Sequence, residues 1–166
     1  MAAAVNGDAM IYLVTALIVG TLDITYAITF SYYRSGTSPA RLLQSVAAGW
    51  FGRDAAFAGG AATAAAGLGF HFFIAFTITA IFFLAASRVP ALIRQPAIAG
   101  PLYGIGVYCV MNYVVIPLSR IGPRPFPPMV VFVTGLLVHM FVIGLPIALG
   151  ARRALKNPAA IPAYRR

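Results

Sequence analysis

Four apolar runs, each long enough to cross a bilayer, constrain this chain more than any other feature. A span takes roughly 20 residues. The runs cover about residues 10–33, 63–86, 97–119 and 128–150. Of the 166 residues, 61% are hydrophobic and 9% charged. A soluble domain carries charge on roughly 25% of its residues. This chain has too little charge for such a surface, so lipid must be the solvent for much of it. The run lengths fit helices, whereas a transmembrane barrel would show short alternating segments. The expectation is an all-α integral membrane four-helix bundle, with residues 1–166 forming a single transmembrane domain.

The punctuation agrees with four spans. Arg34-Ser35-Gly36 closes the first and Ser87-Arg88-Val89-Pro90 the second. The third ends between Pro117 and Arg120, and GPRPFPP forms a short rigid turn. Pro127 and Pro128 suit the first turn of the fourth helix, where a missing N–H is unneeded. Pro146 lies inside that span and should kink it, which neighbouring helices can tolerate. The loop after the first span carries its own helix signal, SPARLLQSVAAGWFGRD. Ser38 suits an N-cap and Pro39 the first helical position. Leu43, Val46, Ala47 and Trp50 then follow helical spacing on one face, and Arg41, Gln44 and Ser45 lie off it. These features predict a short interfacial helix over about 39–52. Trp50 would lie at headgroup level, and the helix would cover the bundle mouth or act as a lid. The Ala/Gly stretch AAFAGGAATAAAGLG is expected to lead directly into the second span.

The net charge of +9 does not indicate nucleic acid. The twelve Lys and Arg residues occupy the gaps between apolar runs and the C-terminus, with no basic stripe along one face. Four spans place both termini on one side. That side carries Arg88, Arg94, Arg152, Arg153, Lys156, Arg165 and Arg166, seven in all. The opposite side carries Arg34, Arg41, Arg53, Arg120 and Arg124, five in all. The bias makes the termini cytoplasmic. MAAAVNGDAM has no Lys or Arg, and the apolar run after it is too long for a signal-peptide core, so the first run reads as a retained span. The single cysteine, Cys109, lies in an apolar run and allows no intramolecular disulfide.

Each span contributes one strongly polar side chain. Asp23 lies ten residues before Tyr33, roughly 15 Å from the side of the long loop. His71 lies eight residues after Thr63, roughly 12 Å from that side. Asn112 lies eight residues before Arg120, again roughly 12 Å. His139 lies eleven residues after Pro128, roughly 16 Å. Asp23 shares a helix face with Gly20 and Ala27, His71 with Gly67 and Ala75, and His139 with Gly135. Small residues mark helix–helix contact in membranes, so these polar groups should point inward and meet. Tyr26 and Thr134 are candidate supporting residues around them.

Polar side chains between helices act as glue, each worth about 0.6 to 2 kcal/mol. On that reading the chain is a non-enzymatic accessory or structural subunit. Ionisable groups in hydrocarbon also mark functional sites, and three alternatives follow. Asp23 with the histidines could relay protons or ions in a small transporter. Two imidazoles and a carboxylate could bind zinc or iron. His71 and His139, on different helices, could hold a b-type haem. No G-x-S-x-G, Walker loop, CxxC or HExxH spacing occurs, which weighs against an enzyme. GPLYG, with two glycines four apart at the start of the third span, reads as helix packing. The expected partners are the lipid bilayer and other membrane subunits or further copies of the chain.

GTLDI, LLQSVAAGWFGRDAAFAGG, GFHFFIA, GPLYGIGVYCVMNYVVIPLS and HMFVIGLPIAL resemble, in that order, a group of small uncharacterised proteobacterial inner-membrane proteins. The likeness covers roughly residues 19–153. The chain is also similar, more loosely, to YagU-like inner-membrane proteins, which carry histidines inside apolar spans. The resemblance implies a bacterial inner-membrane protein of four helices and assigns no activity or functional residue.

Overall fold

The computed structural model describes the backbone of residues 2–156 and the side chains of residues 7–156. The described residues are helical with short connections. They form α1 (Ala2–Ser35), α2 (Pro39–Phe51), α3 (Arg53–Ala58), α4 (Gly60–Arg88), α5 (Ala91–Arg94), α6 (Pro96–Leu118) and α7 (Met129–Leu155). Four segments are long and apolar enough to cross a membrane: Gly7–Ser35, Gly60–Arg88, Pro96–Leu118 and Met129–Leu155. They coincide with the four runs expected from the sequence, extended by a few residues at most ends. Arg165 and Arg166, counted above for orientation, lie outside the described residues.

Local signals account for the helix ends. The Ser38 side chain accepts a hydrogen bond from the Arg41 amide at 3.3 Å, and Pro39 opens α2. This is the N-cap arrangement, which satisfies an otherwise orphaned donor. The Ala/Gly stretch does not run unbroken into the second span. Gly60 adopts φ +58°, which only glycine takes readily, and this separates α3 from α4. Thr63 reinforces the break by donating from Oγ1 to the Ala56 carbonyl at 2.6 Å.

Packing is organised by small residues. α1 packs on α4 and the C-terminal half of α7, and α6 packs along α7. A Cβ at Gly104 would collide with the backbone carbonyl of His139, and one at Gly144 with the carbonyl of Gly100. α6 and α7 therefore meet backbone to backbone, as small residues allow in membranes. α2 lies against α4 in the same way, because a Cβ at Gly67 would strike the Leu43 carbonyl. α2 also meets the turn after α6, where the Arg120 amide donates to the Gly49 carbonyl at 3.0 Å. One face of α2 differs from the expectation. Gln44, expected off the packed face, is buried and donates from Nε2 to the Gly60 carbonyl at 3.0 Å. That bond offsets the cost of burying the amide.

Two helices widen at matching places. α6 contains a π-helical segment at Met111–Val115, and α7 one at His139–Gly144. Each lies just before a proline, Pro117 and Pro146 respectively. Proline lacks an N–H and its ring crowds the carbonyl four residues back. A widened turn accommodates that crowding without breaking the helix. The kink expected at Pro146 thus takes the form of a π turn, and His139 begins it.

Candidate functional site

Asp23 on α1, His71 on α4 and His139 on α7 line one cavity of about 220 Å³. Gly20 lets α4 approach α1, since a Cβ there would strike the Phe72 ring. The His71 imidazole crosses from α4 and donates from Nε2 to the Gly20 carbonyl at 2.8 Å. A carbonyl oxygen only accepts, so the proton on His71 is on Nε2. Its Nδ1 then faces Asp23, with 4.0 Å between Nδ1 and Oδ2. On α7, His139 Nδ1 donates to the Gly135 carbonyl at 2.8 Å, leaving Nε2 as the lone-pair nitrogen. Tyr108 from α6 packs edge-on against the His139 ring, with centroids 5.2 Å apart.

Asp23 differs from its neighbours. Its carboxylate makes no hydrogen bond among the described residues, and its side chain is 26% exposed against 11% for His71. Both imidazoles line the same cavity as its carboxylate. The neutral imidazole nitrogens left over and the ionised carboxylate oxygens are all acceptors. Such a cluster holds no donor for the Asp23–His71 contact. A proton held between Asp23 and His71 turns repulsion between lone pairs into a hydrogen bond or an ion pair. The 4.0 Å gap is one that a bridging water closes, and the cavity has room for several.

The remaining candidates lie elsewhere. Asn112 does not line this cavity. It donates from Nδ2 to the Tyr108 carbonyl at 2.9 Å, one turn back on its own helix. Thr134 likewise donates to the Val130 carbonyl at 2.6 Å within α7. Tyr26 stacks on Phe30 with centroids 5.4 Å apart. Trp50 is exposed and lines a second, larger cavity. Among the described residues, no three His, Cys, Asp or Glu side chains are placed to hold one metal ion. A bis-histidine haem would also have to enter a cavity of 220 Å³, below the roughly 300 Å³ at which small-molecule sites begin.

Two cavities lie side by side. Val46, Ile74, Met111 and Ile116 line both the polar cavity and the larger one. The larger cavity, about 1130 Å³, lies beside α2 and the turn after α6. Toward the termini the polar cavity meets a packed cluster of Val19, Phe82, Ile143 and Ile147, all buried. Sequence spacing singled out the three ionisable groups that line this cavity. It missed Tyr108 and the shared apolar wall, whose residues look like ordinary span residues. Comparisons with family models, curated proteins and solved structures find no match, so the site is read from its own geometry.

Proposed function

We propose that this chain is a multi-pass protein of a bacterial inner membrane, and that its Asp23–His71–His139 cavity takes up and releases a proton as the coupling site of a small carrier. In that membrane both termini face the cytoplasm, following the positive-charge bias, and α2 rests at the outer interface. The likeness to small proteobacterial inner-membrane proteins supports the location and adds no activity.

One observation carries the reading. Among the described residues Asp23 makes no hydrogen bond to a neighbouring helix, yet it lines a cavity beside two imidazoles whose N–H groups are already committed. A carboxylate serving as helix glue would bond across the interface. An unengaged one beside imidazole lone pairs is suited to exchanging a proton. Binding a proton changes the charge at this level of the membrane. A thin shared wall on one side and a packed cluster on the other then suit a carrier resting in one of its two states.

The accessory-subunit reading rests on a different contact, the His71–Gly20 hydrogen bond that ties α4 to α1. The two readings separate in a pH-jump experiment on proteoliposomes adsorbed to a solid-supported membrane. A proton site inside the membrane gives a transient charge displacement when the pH steps, and needs no substrate to do so. Asp23→Asn should abolish the transient while the protein still folds. No transient in the wild type, or the same transient in the variant, would favour the structural reading.

A further inference from the structure

The larger cavity has two chemically distinct parts. Its floor and walls are apolar, formed by residues such as Trp50, Phe70, Phe73 and Val115. Its rim carries Arg120 and Arg124 on the turn after α6. Neither arginine pairs with an acidic side chain among the described residues, where Asp23–His71 is the one acid–base contact within 4.0 Å. Arg53 adds to the positive field near them. Burial, and then the charge of Arg53, push Arg124 down from its ordinary value. A guanidinium stays charged regardless, so the repulsion is relieved by an anion rather than by losing a proton. Arg53 itself lies over the Phe57 ring at 5.8 Å.

We propose that this cavity is a binding site for one anionic phospholipid, with an acyl chain along the Trp50–Phe70–Phe73 wall and the headgroup phosphate between Arg120 and Arg124. The occupant follows from position and charge. Its arginines lie in the turn beyond the end of the third span, where headgroups lie, and its apolar lining reaches Phe73 and Met111 within the spans. Arginine matches phosphate geometry with two parallel N–H donors, which a zwitterionic lipid offsets with its own cation. The site is independent of the proton cavity, although the two share a wall.

Trp50 is the single tryptophan of the chain, and it lines the cavity. Its fluorescence therefore reports occupancy. The full-length protein is reconstituted in phosphatidylcholine vesicles containing a small fraction of phosphatidylglycerol with brominated acyl chains. Bromine quenches tryptophan on contact. The expected result is saturable quenching at low mole fraction, well ahead of brominated phosphatidylcholine. One arginine near an anionic headgroup is worth roughly fivefold in apparent affinity. The double variant Arg120→Gln/Arg124→Gln should lose the preference, and Arg88→Gln/Arg94→Gln, at the opposite ends of the spans, should keep it. Val115→Phe narrows the apolar slot with both arginines intact, and should weaken quenching by the brominated phosphatidylglycerol. Equal quenching by the two lipids, or a preference that survives loss of both arginines, would overturn the proposal.

Discussion

At the scale of single residues, the nitrogen and oxygen atoms of the polar cavity divide into those already engaged and those left free. His71 donates to Gly20 across the α1–α4 contact, and His139 donates within its own helix. Asp23 does neither. The two roles make opposite predictions for stability. Replacing His71 with Ala removes an interhelical hydrogen bond and should cost about 1 kcal/mol, read from thermal unfolding in detergent. Asp23→Asn removes no bond and should change stability by no more than ~0.5 kcal/mol. A large loss in Asp23→Asn would return the carboxylate to the role of glue. The residue types of this site were legible in the sequence, because Asp and His are rare inside apolar runs. Their pairing was legible only in part. Depth along a helix follows from counting residues, but rotation about its axis does not. Asn112 shows the difference, since it matches the others in depth and still bonds back to its own helix.

At the scale of elements, close backbone approach and local widening set where the polar groups lie. Gly104 and Gly144 allow α6 and α7 to touch through main-chain atoms. Gly104→Ala or Gly144→Ala should therefore destabilise the protein by about 1–3 kcal/mol, as overpacked contacts do. Gly69 and Gly106 are helical glycines whose added Cβ would meet nothing within 4 Å. Alanine at either position should be neutral or stabilising by up to ~1 kcal/mol. Equal effects at all four positions would contradict the packing described here. The four spans and the α2 cap were readable from run length, Ser38 and Pro39, since helix ends obey local rules. The π turns were not. Proline in a span announces some distortion, but whether the helix kinks or widens depends on the neighbour that packs there. The inward face of Gln44 was hidden for a similar reason, because its partner carbonyl on Gly60 exists only once α4 has docked.

At the scale of the whole molecule, the polar cavity shares a wall with a wide apolar chamber on one side and meets a packed apolar cluster on the other. This asymmetry can be mapped with single cysteines in a Cys109→Ser background. Ile116→Cys, where the two cavities adjoin, should react with a small water-soluble thiol reagent added from the α2 side. Ile147→Cys, fully buried in the cluster toward the termini, should resist it from both sides. Reaction at Ile147 under resting conditions would mean that the packed side is open. The four helices of spanning length were legible because scarcity of charge leaves few ways to solvate such a chain. The cavities were not, because the residues around them are apolar and differ in no way from those facing lipid.

As proposed above, Asp23 would exchange a proton within its span under the influence of His71. The chain has three acidic residues, all aspartates, so its carboxyl infrared spectrum is simple. The most direct measurement is an infrared pH titration of the lipid-reconstituted protein, following the carbonyl stretch of the protonated acid. The account predicts a component that is absent in Asp23→Asn and whose midpoint moves in His71→Gln. Spectra of the wild type and Asp23→Asn that titrate identically, or a component indifferent to His71, would contradict it.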